Sequence, residues 1–248
     1  MPPLFRLIHS PVRSLLPEAA VFRLPSTALR IDMRLYFIRH GRQSSKRCNV
    51  NVDLSQEGRR QAALLGCRLT DWGIDALYSS DLIRAVQTAR EINRFLSLPH
   101  TICPDLREIS FGEMEGLTNE EIGVRFKEFK KQQETMTADL PYPGGECAGD
   151  VVRRVEPFLD EMTRSHYKRI AVVTHGGVIR AMTALCLGMP LEKWRLLGKD
   201  LENTSITELK WDPVHRRFTV ERFNDYAHLE GHPLLLRSSW AEPPASHS

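Results

Sequence analysis

Leu35-Tyr36-Phe37-Ile38-Arg39-His40-Gly41, and far downstream Ile170-Ala171-Val172-Val173-Thr174-His175-Gly176-Gly177, decide how this chain folds. Each begins with a short, unbroken apolar run of strand length and stops at a His-Gly pair. Strands that are apolar without alternation are buried on both faces, as in parallel sheets covered by helices.

The stretches around and between these runs supply the covering helices. Ser55–Trp72 sets Ala62, Leu65, Leu69 and Trp72 on one helical face, and Leu82–Leu96 does the same with Ala85, Ala89, Ile92 and Leu96 after a short strand at Ala76–Ser79. Thr118-Asn119-Glu120-Glu121 reads as a capping box opening a charged helix toward Gln133. Asp150–Met162 predicts a helix that Pro157 should bend. Val178–Leu187 predicts another, closed by Gly188. Ser205–Trp211 and Arg217–Phe223 alternate as a strand pair around the Asp212-Pro213 turn. Strands alternating with helices imply an α/β three-layer sandwich, with a mostly parallel central sheet and helices on both faces.

A single catalytic domain over residues 33–240 is expected. The proline-punctuated residues 1–32 are expected to be a disordered extension or a mis-assigned start ahead of Met33, and residues 241–248 a disordered tail.

Bulk properties narrow the function. The 248 residues carry 34 basic and 31 acidic side chains, a net charge of +3, too balanced for a nucleic-acid surface or a polybasic membrane patch. Anion recognition must therefore come from a local cluster. No apolar run has the ~18 residues that span a bilayer. Five scattered cysteines with no C-x-x-C spacing argue against a disulfide framework or zinc cage and fit a reducing, cytoplasmic setting.

In parallel sheets, ligands sit outside the carboxyl ends of the strands. That edge gathers His40, His175, Arg39 and Arg84, the last in the first turn of its helix after Ser79-Ser80-Asp81. Arginine guanidinium groups suit a phosphoryl dianion, and a neutral imidazole among them can attack phosphorus. An acceptor on the other ring nitrogen would fix the tautomer, and a carbonyl in the following glycine-containing loop is a candidate. Arginines can neutralise the transferred group, so neither metal nor cofactor is required, and no H-x-H or H-E-x-x-H arrangement points to a metallohydrolase. Glu108 is the candidate proton donor for the leaving oxygen, with Glu113 and Glu115 as competitors that spacing does not exclude.

These blocks resemble the histidine phosphatase superfamily, in its phosphoglycerate-mutase-like branch and phosphatase subgroup. The resemblance rests on Arg39-His40-Gly41, Leu54-Ser55-Gln56-Glu57-Gly58, Ser79-Ser80-Asp81-Leu82-Ile83-Arg84-Ala85, Glu108 with Phe111-Gly112, Pro143-Gly144-Gly145-Glu146 and Thr174-His175-Gly176-Gly177. It implies a nucleophile at His40, phosphoryl binding by Arg39, Arg84 and His175, and a proton donor at Glu108. It also implies that Thr204 or Asn203 lines the pocket, through Asn203-Thr204-Ser205.

Two departures stand out. The loop after His-Gly, Arg42-Gln43-Ser44-Ser45-Lys46-Arg47-Cys48-Asn49, is nonstandard, and makes Arg42, Gln43 and Asn49 candidate substrate contacts. Its cations read either as a solvated basic loop or as a second anion subsite. The segment from Glu120 to Pro143 is short for a mutase, which must keep water from its intermediate. The expected activity is therefore hydrolysis of a small phosphorylated metabolite by a monomer or homodimer. A phosphoglycerate mutase and a catalytically weak phospho-ligand binding module are the alternatives.

Overall fold

Residues 33–198 and 200–240 are described by the computed structural model; the expectations for residues 1–32 and 241–248 lie outside them. The chain runs β1 (Arg34–Arg39), α1 (Gln56–Leu69), β2 (Ala76–Ser79), α2 (Ile83–Leu96), β3 (His100–Ile102), α3 (Asn119–Arg125), α4 (Lys127–Glu134), α5 (Ala148–Arg164), β4 (Arg169–Thr174), α6 (Gly176–Cys186), β5 (Ile206–Asp212) and β6 (Arg217–Asp225). The six strands form one sheet in the order β3-β2-β4-β1-β5-β6. The pairs β3–β2, β2–β4 and β4–β1 are parallel, whereas β5 is antiparallel to both its neighbours.

The unbroken apolar runs of β1 and β4 serve both faces. Leu35, Phe37, Ile170 and Val172 pack with Val155 and Leu159 of α5 and Val178 and Met182 of α6. The intervening Tyr36, Ile38, Ala171 and Val173 pack with Leu65 and Leu69 of α1 and Ala85, Ala89 and Ile92 of α2. Alternate side chains on one strand thus feed opposite helix layers, giving the three-layer sandwich. A fully buried Leu or Val contributes roughly 1.5–3 kcal/mol, so both faces are strongly held.

Several boundaries differ from expectation. The charged helix starts as its capping box requires: the Thr118 hydroxyl accepts from Glu121 N–H at 3.2 Å and Glu121 accepts from Thr118 N–H at 2.7 Å. It then breaks into α3 and α4 at Phe126, which leaves helical geometry (φ −116°, ψ 27°) and packs its ring against the core. Pro157 lies inside α5 without ending it. The three-residue edge strand β3 is too short for its pattern to announce it. No helix among the described residues is long and apolar enough to cross a membrane.

One register positions the functional edge. β1 and β4 pair Arg39 with Thr174, and the His40 N–H donates to the Thr174 carbonyl at 2.9 Å. The next residues on both strands, His40 and His175, therefore leave the sheet side by side.

Candidate active site

A cavity of about 560 Å³ opens at this edge, with Arg39, His40, Arg84, Glu108, Gln43 and Asn49 on its wall. The His175 ring lies 5.1 Å from that of His40, centroid to centroid, and is fully buried, next to His40 but not itself on the cavity wall.

His40 is held by its own loop. Its Nδ1 lies 2.7 Å from the Gly41 carbonyl, which can only accept, so Nδ1 carries the proton and Nε2 keeps the lone pair. The Gly41 N–H donates to Thr88 Oγ1 at 2.9 Å, and that hydroxyl donates to the Arg84 carbonyl at 2.7 Å, tying the loop to α2. Asn203 Nδ2 donates to the His40 carbonyl at 2.8 Å from the other side. Burial, reinforced by Arg84 and Arg39, pushes the His40 imidazole well below its ordinary 6.5, so the ring is neutral near pH 7.

Arg84 is 2% exposed at the start of α2. Its Nη1 donates to the Val50 carbonyl at 3.0 Å and its Nη2 to Asn49 Oδ1 at 2.7 Å. Arg39 donates to the Leu201 carbonyl. Burial and the charge of Arg237 lower Arg39 to about 9, which still leaves it cationic at neutral pH.

The Nε atoms of Arg39 and Arg84 and both ring nitrogens of His175 are buried with no hydrogen-bond partner among the described residues. A buried polar atom without a partner costs about 1–3 kcal/mol, and these side chains come from the ends of β1 and β4 and the first turn of α2. An oxyanion bound there could accept from the two guanidinium Nε–H groups and from the one protonated nitrogen of His175. Burial and Arg84 also hold His175 well below 6.5.

Glu108 comes from the loop that follows Leu106. Its Oε1 accepts from the N–H groups of Ile109 and Gly177, both at 2.9 Å, and so sits on the first turn of α6. The approach requires glycine at 177, because a Cβ there would lie 2.4 Å from Oε1 and 2.5 Å from Ile109 Cγ2. The Glu108 loop is braced by Glu146, which accepts from Ser110 N–H at 2.8 Å and pairs with Arg154 Nε at 2.9 Å. Arg154 Nη2 also reaches the Glu108 carbonyl at 3.3 Å. Gly112 (φ +54°) lets the same loop lie directly on Pro143-Gly144-Gly145, where a Cβ would fall 2.1 Å from the Pro143 carbonyl oxygen. Of the three carboxylates left open by sequence, only Glu108 is on the cavity wall. Glu115 accepts instead from Asn49 Nδ2 at 2.9 Å and Phe111 N–H at 3.0 Å.

The nonstandard loop divides. Gln43, Lys46 and Asn49 face the cavity, as does Cys48, whose thiol burial pushes up to about 11. Arg42 does not: its Nη2 donates to the Leu235 and Leu236 carbonyls at 3.3 and 2.9 Å, away from the cavity wall. Arg47 turns outward to the Gly116 carbonyl at 2.8 Å. Thr204 is likewise off the wall, with positive φ (+59°) and its hydroxyl between the Asn203 carbonyl at 2.6 Å and His228 Nε2 at 2.9 Å. Asn203 takes the place on the cavity. Thr88, Arg154 and Arg237 carry no sequence signal of a role here; the first two support the wall through hydrogen bonds, and Arg237 is part of it.

Comparison with known proteins places this arrangement. Residues 35–226 match the profile of the histidine phosphatase superfamily, branch 1. Phosphoserine phosphatase 1 of Hydrogenobacter thermophilus is 31% identical over 181 residues, covering 73% of this chain and 84% of its own. Mycobacterial glucosyl-3-phosphoglycerate phosphatase, solved in complex with inorganic phosphate, superposes with a TM-score of 0.72 at 28% identity over 79% of this chain and 99% of that one. The alpha-ribazole phosphatase of Shigella flexneri gives 0.67 at 26% identity, over 78% and 97%. With the match spanning residues 35–226, most of its length, this chain belongs to branch 1 of the histidine phosphatase superfamily.

Proposed function

We propose that this phosphatase hydrolyses the phosphomonoester of a small metabolite through a phosphohistidine on His40. The observation that carries the reading is the His40 Nδ1–Gly41 carbonyl hydrogen bond, which leaves Nε2 unprotonated beside Arg39 and Arg84. Nε2 attacks phosphorus as the bond to the leaving oxygen breaks, and the Glu108 carboxylic acid gives that oxygen its proton. Water then attacks the phosphoryl group, Glu108 takes its proton, the N–P bond breaks and phosphate leaves. Arg39, Arg84 and His175 hold the phosphoryl oxygens throughout, and their donors supply the charge stabilisation that lets the reaction run without metal or cofactor.

A cavity of about 560 Å³ suits a small substrate. The relatives named for phosphoserine, glucosyl-3-phosphoglycerate and alpha-ribazole phosphatase activities support that class. The reading treats residues 33–240 as one catalytic unit, monomeric or homodimeric, in the cytoplasm. The free thiols of Cys48, Cys67, Cys103, Cys147 and Cys186 support a reducing location.

The test is phosphate release from an aryl phosphate in the presence of a chelator. The parent should release phosphate and His40→Ala should not. Turnover unchanged in His40→Ala, or lost with the chelator, would reject the proposal. With a phosphoglycerate as substrate in place of the aryl ester, accumulation of its isomer without phosphate release would favour the mutase alternative.

A further inference from the structure

The family match ends at residue 226, yet the cavity wall includes Arg237. The segment that carries it is docked firmly. Leu229 and Leu235 are buried, at 0% and 2% exposure, and act as apolar anchors. Gln61 Nε2 donates to the Leu235 carbonyl at 2.6 Å, and Arg42 holds the carbonyls of Leu235 and Leu236. The Arg237 N–H donates to Glu202, and its Nη2 pairs with Asp200 at 3.2 Å. Arg42, which sequence assigned to the substrate, thus helps to place a different arginine.

The wall is strongly unbalanced in charge. It carries Arg39, Arg84, Lys46, Lys130, Arg195 and Arg237 against the single carboxylate of Glu108. Among the outer cations, Arg195 is engaged by the Tyr142 hydroxyl at 2.7 Å. Arg237 lines the same cavity as His40, Arg39 and Asn203, and its positive charge contributes to lowering both Arg39 and His40. Its Asp200 partner is more than half exposed and off the wall, so water screens that pair.

We propose that Arg237, delivered from beyond the residues that match the family profile by the docked C-terminal segment, is a substrate-binding residue that holds an oxyanion of the phosphoryl group beside His40. The inference rests on the phosphomonoesterase reading. It assigns the C-terminal segment a part in the active site, and makes Arg42 and Gln61 positioning residues for Arg237.

The experiment measures binding of inorganic phosphate by calorimetry, together with aryl phosphate kinetics, for the parent and for Arg237→Ala, Arg237→Lys and Asp200→Ala. A charge-assisted hydrogen bond at a partly exposed site predicts that Arg237→Ala weakens phosphate binding about tenfold and raises KM about as much, with kcat altered little. Arg237→Lys should recover part of the loss. Asp200→Ala, which removes only the surface anchor, should bind phosphate at least as well as the parent. Unchanged phosphate affinity in Arg237→Ala overturns the proposal. So does an equal loss in Asp200→Ala, which would make Arg237 a mere anchor. A parent that binds phosphate but turns over no phosphate ester would sink the hydrolase reading instead, and calorimetry would still decide on Arg237.

Discussion

Gly177→Ala isolates the link between Glu108, the proposed acid, and the α6 N-terminus. The added Cβ would lie 2.4 Å from Glu108 Oε1 and 2.5 Å from Ile109 Cγ2, where ordinary contact begins near 3.4 Å, so about 1 Å of overlap must be relieved. The Ile109 contact belongs to a buried side chain, leaving the carboxylate as the group that moves. A shift of that size breaks the Gly177 N–H bond and carries Glu108 off its position. Misplacing a catalytic group by about 1 Å costs on the order of 10²-fold in rate. Overpacking costs about 1–3 kcal/mol of stability, offset in part by less than 1 kcal/mol of helix propensity gained on replacing glycine. Gly176→Ala is the matched control, since a Cβ there meets only Arg39 Nε at 3.8 Å, an ordinary contact. The assay is kcat on an alkyl phosphate, whose leaving group needs a proton, and on a nitrophenyl phosphate, whose leaving group does not. Gly177→Ala should lose about a hundredfold on the first and much less on the second, while Gly176→Ala loses only a few-fold on either. Equal rates for Gly177→Ala and the parent on the alkyl ester would refute the argument that this carboxylate is placed by α6.

Other consequences can be checked alongside. Glu108→Gln keeps the shape but not the proton, so kcat should fall about 10²–10⁴-fold on alkyl esters and less on activated ones; equal losses would remove Glu108 as the acid. His40 and His175 are both held well below 6.5 by burial and then Arg84. The acid limb of kcat/KM for His40 should accordingly lie below pH 6.5. The unfolded chain takes protons on these rings before the folded one, so their contribution to stability is full above about pH 6.5 and is lost as pH falls below it. A thermal midpoint that rises from pH 7 to pH 5 would contradict this. Thr88→Val leaves the buried Gly41 N–H without its acceptor, so stability should drop by about 1–3 kcal/mol in denaturant unfolding, with a fall in kcat as the His40 loop loosens. No change in either would show that the Thr88 bridge is dispensable.

How much of this was legible in the sequence depended on whether a residue's environment is repetitive or singular. The continuous apolar runs of β1 and β4 require cover on two faces, so the three layers and the shared edge follow from them. β3 has three residues, two of them exposed, too few for any period to register. Phe126 interrupts a charged helix because its ring finds apolar partners, a tertiary effect with no local signature. In the site, His40, His175, Arg39 and Arg84 sit in local motifs at strand ends and a helix start, whereas spacing leaves Glu108 level with Glu113 and Glu115 and only the cavity wall separates them. Arg42 was assigned by charge type, and charge type carries no direction: its side chain turns to carbonyls almost two hundred positions away. The resemblance of Asn203-Thr204-Ser205 to a family block leaves Thr204 and Asn203 equally eligible; Thr204, with its positive φ, is off the wall and Asn203 is on it. Arg237 has no surrounding motif, and only the docking of Leu229 and Leu235 makes it part of the cavity.

The most direct test of the central claim is chemical trapping of the intermediate. Protein quenched during turnover of a radiolabelled phosphate ester should carry up to one phosphoryl group per chain, labile in acid, stable in base, and mapped by peptide analysis to His40. His40→Ala should carry none. Label on any other residue, or full turnover by His40→Ala, would contradict the account.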